Sequence, residues 1–145
     1  IPTNLRAMSA IPDPKAAIET RKFDLQMGMG MMSGGFKING QSMEMSRIDF
    51  QVKRNSTEIW EVRNDSPMAH PFHVHNVQFH ILDRNGKEPA PVESGLKDTV
   101  LVQRGEVVRL VMTFPEYSDA KTPYMYHCHI LEHEDQGMMG QFVVV

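Results

Sequence analysis

The sequence is short of cysteine, of basic charge and of long apolar runs, and each shortage excludes a class of protein. There is one Cys, Cys128, in 145 residues, so no disulfide can form within the chain. Lys and Arg number 15 against 18 Asp and Glu, a net charge of −3. Without a basic field, nucleic acid is not an expected partner. No apolar stretch approaches the ~18 residues that a membrane-spanning helix needs, so no membrane span is expected. No charged-then-apolar leader opens the chain, and Ile1 in place of Met suggests a processed, excised or fragmentary product. No stretch of ten residues sustains a helical period, and no internal repeat is visible. Against these shortages stand 12 Met and 7 His.

The length and the 41% hydrophobic and 23% charged residues suit one globular domain. Residues 1–20 hold Pro2, Pro12 and Pro14 among small and polar residues. Proline fixes φ and removes a donor, so this segment reads as a linker or edge segment leading in from an upstream domain, with the domain proper over 21–145. Short alternating segments follow, at 21–26, 36–38, 47–52, 58–63, 77–82, 99–102, 106–114, 124–129 and 141–145. Turn pairs such as Asn39-Gly40, Asn85-Gly86 and Arg104-Gly105 separate them. Many short strands at such spacing predict an all-β sandwich or barrel. Residues 27–35 hold four Met and four Gly and read as a flexible loop.

All seven histidines fall in two windows, His70-Pro-Phe-His73-Val-His75 with His80 beyond it, and His127-Cys128-His129-Ile-Leu-Glu-His133. Any one of them could be structural, but the clustering points to metal. In a strand, residues i and i+2 share a face. His73 and His75 therefore aim at one site, as do His127 and His129, while Cys128 points the other way to a second centre. A covalent bridge that short between two centres suits electron transfer. Two His, one thiolate and a weak axial Met form a blue-copper site, whereas structural zinc favours several Cys. Cys128, His133 and Met138 are spaced for a loop around one ion, and His70, odd-spaced from His73 and His75, is the candidate fourth ligand.

These two windows resemble the C-terminal copper motifs of the multicopper oxidases, and the run from His127 to Met139 is most similar to the bacterial laccase-like copper-efflux (cuprous) oxidases. The resemblance implies a cupredoxin-like Greek-key β-sandwich over 21–145, in the last domain of a larger enzyme. It implies type 1 copper on His70, Cys128, His133 and Met138, type 2 copper on His73, and a type 3 pair on His75, His127 and His129. Glu134 falls where the family has a carboxylate linked to proton delivery. His80 matches no ligand position and reads as structural or surface. The implied reaction is oxidation of Cu(I) or phenolic substrates at type 1 copper, with electrons passing to a trinuclear cluster that reduces O2 to water. That cluster takes eight His in the family. This chain offers four, so N-terminal cupredoxin domains, of the same enzyme or of another chain, would supply the rest. A stand-alone blue-copper electron carrier is the alternative, and a copper-sequestering protein a third reading.

The methionines extend the resemblance. Copper-efflux oxidases carry a Met-rich segment above type 1 copper, since thioether sulfur is soft and favours Cu(I). Met27 and Met68, with Asp65, are the implied substrate ligands. Met112, Met125 and Met139 read as packing. A role in copper homeostasis and a periplasmic location follow from the resemblance alone.

Overall fold

The alternating segments become strands because one face of each can be buried against a second sheet. The computed structural model describes residues 10–28, 35–114 and 117–145. Residues 1–9 of the expected linker, and Met29, Met31 and Met32 of the methionine segment, lie outside the described residues. The strands are β1 (Ala17–Met27), β2 (Phe36–Ile38), β3 (Phe50–Val52), β4 (Thr57–Asn64), β5 (His70–Val74), β6 (His80–Arg84), β7 (Thr99–Val102), β8 (Val107–Thr113), β9 (Asp119–Cys128) and β10 (Met139–Val144). Among the described residues, a single α-helix, α1 (Leu131–Asp135), links β9 to β10. The strands form two five-stranded sheets, in the orders β2-β1-β4-β8-β6 and β3-β10-β9-β5-β7. Each sheet has one parallel pair, β1 with β4 and β10 with β3. The expected all-β sandwich is what forms. Among the described residues, no helix is long and apolar enough to cross a membrane.

The core lies between the sheets. In β4 the burial alternates strictly through Glu58, Trp60, Val62 and Asn64. Trp60 is fully buried among Phe23, Phe50, Phe114, Tyr126 and Phe142, with centroids 4.6–6.1 Å from its own. Glu58, on the same face, is buried but satisfied. It accepts from Trp60 Nε1 at 2.9 Å and from Arg21 at 2.7 and 2.8 Å, which offsets the cost of burying a carboxylate.

A second polar knot fixes the end of β9 that carries the metal-binding motif. The Asp49 carboxylate accepts from Tyr126 OH at 2.8 Å, Gln141 N at 2.9 Å and Arg47 Nε at 2.6 Å. Burial and the adjacent carboxylate push the Tyr126 phenol far above its ordinary pKa. Gly140 makes room for this knot, because a Cβ there would run into both the Asp49 carboxylate and the Tyr126 ring.

Asn39-Gly40 and Asn85-Gly86 are turns as expected, with φ of 54° and 74° and of 51° and 74°. Both residues of a type I′ turn need positive φ, which Asn and Gly tolerate.

The structure differs from expectation in several places. β5 (His70–Val74) lies outside the expected segments, and β9 starts at Asp119 and not at 124. β1 begins at Ala17, so residues 17–20 pair with β4 and belong to the domain, not to a linker. The 47–52 segment is a strand only from Phe50. The 77–82 segment starts its strand at His80, after a lone bridge from Phe79 to Lys97. The helix α1 was not expected, because five residues are too few to show a period.

Candidate metal centre

Strand alternation sorts the first histidine window. In β5, His70, Phe72 and Val74 point into the sandwich, and Pro71 and His73 point away. β5 pairs with β9 in the register Phe72 to Cys128, His73 to His127 and Val74 to Tyr126. This register sets His73 beside His127 on one side and leaves Cys128 on the inward side with His70.

The chain then folds back on itself after Cys128. His133 N–H and Glu134 N–H both donate to the Ile130 carbonyl at 2.9 Å, starting α1. Met138 N–H donates to the His133 carbonyl at 2.9 Å, and Cys128 N–H to the Met138 carbonyl at 3.0 Å. These bonds close the loop and bring its ends together. Gly137, between them, has φ +87°, and Met43 N–H donates to its carbonyl at 2.9 Å.

The result is a triangle of donor atoms. His70 Nδ1 is 3.3 Å from Cys128 Sγ, Cys128 Sγ is 3.4 Å from His133 Nδ1, and the two Nδ1 atoms are 3.2 Å apart. A point equidistant from the three lies about 1.9 Å from each, close to the ~2.0–2.3 Å at which a first-row metal binds imidazole and thiolate. His70, Cys128 and Met138 are fully buried and His133 is 4% exposed.

The surroundings prepare the donors. Ser66 Oγ donates to the Met68 carbonyl at 3.0 Å, so at 2.6 Å it accepts from His70 Nε2–H. That fixes the tautomer and leaves Nδ1 of His70 with its lone pair facing Cys128. Burial, and His133 beside it, hold the His70 imidazole down at about 4. Burial lowers His133 too and pushes the Cys128 thiol up to about 11. At neutral pH only the thiol must lose a proton to a metal.

The other histidines form a second cluster on the outer side. His73, His75 and His127 each offer a ligand atom within 4.8 Å of one another. His73 Nδ1 donates to the Asp98 carbonyl at 2.9 Å, which leaves Nε2 for a metal. His127 Nδ1 donates to the Cys128 carbonyl at 3.2 Å, and its Nε2 is 3.3 Å from Nε2 of His75. His129 stands at the edge, exposed, its ring centroid 5.3 Å from that of His127 and 5.4 Å from that of His73. Glu134 Oε2 lies 3.5 Å from His127 Nδ1. An open cleft of about 710 Å³ adjoins His73 and His75 and is lined also by Gln78, Asp98, Thr113 and Tyr124.

Other expected residues are placed less tightly. Met27 ends β1, half-buried, opposite Phe36 in the β1–β2 register. Met68 is exposed, and its carbonyl is fixed by Asn64 Nδ2 at 2.7 Å. Asp65 is exposed and, among the described residues, joins no cluster of metal-ligating side chains. His80 is buried in β6 in the other sheet, with Nδ1 on the Ser94 carbonyl at 3.2 Å. It is therefore not a surface residue. Two residues that sequence reasoning missed touch the first centre. One is Ser66, and the other is Phe36, whose ring stacks on His133 at 3.8 Å between centroids and 22° between planes. Neither carries a sequence signal, since both contacts bridge separate elements.

Among the described residues, two clusters of side chains that could hold a metal stand on a β-sandwich, joined through one Cys-His peptide. The multicopper oxidase family model matches residues 17–145. The multicopper oxidase mco of Staphylococcus aureus is 40% identical over 129 residues, which is 86% of this chain and 28% of that protein. A laccase-like multi-copper oxidase CueO from the lignin-degrading bacterium Ochrobactrum sp. superposes with a TM-score of 0.85 at 38% identity, over 97% of this chain and 33% of that one. A multicopper oxidase from Campylobacter jejuni, a metallo-oxidase, gives 0.79 at 37% identity, over 99% and 33%.

The chain belongs to the multicopper oxidase family, with a cupredoxin-like β-sandwich fold and copper as the metal that its ligand sets fit. It spans under a third of the length of these relatives.

Proposed function

We propose that this chain is the C-terminal cupredoxin domain of a laccase-like cuprous oxidase working in the periplasm. It would supply a complete type 1 copper site and half of a trinuclear site. The observation that carries this reading is the donor triangle of His70 Nδ1, Cys128 Sγ and His133 Nδ1, with buried Met138 hydrogen-bonded through its backbone to both Cys128 and His133. Two imidazole nitrogens and one thiolate, with a methionine on the same loop, are a donor set that suits copper. Held by His70, Cys128, His133 and Met138, copper would supply one-electron redox chemistry.

The residues of the chain set up that traffic. Buried donors exclude water and keep His70 and His133 neutral. Cys128 is bonded to His127 and His129 on either side, and its carbonyl also holds His127 Nδ1. A covalent route and a hydrogen-bonded route thus run from the thiolate to the second cluster. There His73 fits type 2 copper, and His75, His127 and His129 fit the type 3 pair. Glu134, half-buried and 3.5 Å from His127 Nδ1, would hold a proton beside the cluster for delivery to oxygen. The open cleft beside His73 and His75 suits the approach of a domain bearing the four further histidines. Met27, the register partner of Phe36, and Met68, whose carbonyl accepts from Ser66, would offer soft sulfur to Cu(I) as the substrate, with phenols as a second class. Asp65 would assist them from the surface.

The test is copper reconstitution of this chain with Cu(I) or a phenol as donor. The expected result is a blue centre that bleaches on donor addition, with no sustained O2 consumption until a protein carrying the other four histidines is added. A blue centre that bleaches but never supports O2 reduction with any such partner would leave the carrier reading standing instead. A colourless copper complex would refute both.

A further inference from the structure

Of the four type 1 ligands, His133 alone has exposed surface, and it has little. Cys128, Met138 and His70 are sealed, and the outer nitrogen of His70 is taken by Ser66 at 2.6 Å. The Nδ1 of His133 faces Cys128 and His70. An electron from outside therefore meets the outer part of the His133 ring first. One face of that ring is already covered, because Phe36 lies on it nearly parallel at a centroid distance of 3.8 Å.

The cover is anchored at several points. Phe36 pairs with Met27 in the β1–β2 register, and its carbonyl accepts from Ser42 Oγ at 3.3 Å. The next residue, Met43, donates its N–H to Gly137, the residue before Met138. A Cβ on Gly137 would meet Met43 N at 3.2 Å, at a φ that side chains rarely adopt. The segment bearing Phe36 is thus fastened to the ligand loop at the point where that loop can least accept bulk.

A planar aromatic donor can stack on an open imidazole face, offset stacking being one of the two geometries that aromatic pairs prefer. Phe36 occupies that face. A small cation has no need of it, and Met27, the register partner of Phe36, brings a soft sulfur to the same end of the molecule.

Resting on the type 1 copper reading above, we propose that Phe36 determines donor specificity. It fills the stacking face of His133, discriminating against planar organic reductants and leaving the outer ring edge to Cu(I). The electron balance is simple in either case. The donor loses one electron, Cu(II) at the type 1 site becomes Cu(I), and no bond forms to Phe36.

The test uses the copper-loaded chain, with Phe36→Ala and Phe36→Leu beside the wild type. Bleaching of the blue centre is timed after mixing with hydroquinone or with acetonitrile-stabilised Cu(I). Both variants are expected to stay blue. Hydroquinone should reduce them about tenfold faster than wild type, equivalent to ~1.4 kcal/mol of barrier, while the Cu(I) rate stays within about twofold. Leu keeps apolar bulk for the hairpin without the flat ring, so it guards against a mere folding defect in the Ala variant. An unchanged hydroquinone rate in blue variants overturns the proposal. So does equal acceleration of both donors, which would mark a loosened site, or loss of colour in both variants, which would make Phe36 a support for His133. A wild-type chain that never turns blue fails one step earlier and refutes the copper reading itself.

Discussion

Removing copper and changing pH should expose the cost of holding these ligands neutral. In the copper-free chain, His70 is buried and its pKa is about 4, against 6.5 when exposed. Cys128 is buried with a pKa near 11, against 9.0. The signs follow from which state holds more protons. As pH falls below 6.5, an unfolded His70 takes a proton that the folded one refuses. The stability from His70 is therefore complete above 6.5 and is lost towards pH 4. At 1.36 kcal/mol per pH unit, that loss is about 3 kcal/mol. As pH rises above 9, an unfolded Cys128 gives up a proton that the folded one keeps, costing about 3 kcal/mol by pH 11 on the same reckoning. His75, His127 and His133 are also lowered by burial, so they deepen the acid side. The assay is urea denaturation of the copper-free chain across pH 4–11, followed by tryptophan fluorescence of buried Trp60. A plateau between pH 6.5 and 9, with a fall on both sides, is expected, and His70→Gln should flatten the acid limb. Stability that stays level from pH 6.5 to 4.5 would refute the claim that the donor triangle is sealed from solvent.

Three further outcomes follow from named contacts. Ser66→Ala removes the acceptor for His70 Nε2–H, and it should weaken copper binding about tenfold and cost ~1–3 kcal/mol in the copper-free chain; competition with a chelator and urea titration measure the two. Gly140→Ala drives a Cβ into the Asp49 carboxylate and Tyr126, so a loss of ~1–3 kcal/mol is expected, while Gly95→Ala, with open space around it, should stay within about 0.5 kcal/mol. Met27→Ala combined with Met68→Ala should slow reduction by Cu(I) while reduction by organic dyes survives, and equal slowing of both in stopped-flow bleaching would count against thioether capture of Cu(I).

The metal chemistry was legible in the sequence because it depends on local periodicity. His73 and Cys128 separate from their neighbours by strand alternation alone, and His70 falls on the Cys128 side by its odd spacing. What was not legible depends on register between distant strands. The adjacency of His127 and His73 needs the β5–β9 pairing. Phe36 on His133 needs the β2 hairpin to fold over α1. Ser66 on His70 looks in sequence like any turn serine. The domain boundary was misplaced for a related reason. Residues 17–20 show little apolar alternation because they are mostly exposed, and they are strand only through their backbone pairing with β4. The polar knot of Asp49, Arg47 and Tyr126 spans 77 residues between Asp49 and Tyr126, and no local pattern announces it.

Family membership alone does not fix a function, and the weight rests on the ligands present. The most direct measurement is electron paramagnetic resonance with spin counting on the copper-loaded chain and on Cys128→Ser. A type 1 signal with narrow parallel hyperfine splitting, accompanied by blue colour, is expected at about one spin per chain. Both should vanish in Cys128→Ser. Copper bound only with ordinary tetragonal signals, unchanged by loss of Cys128, would contradict the account at its centre.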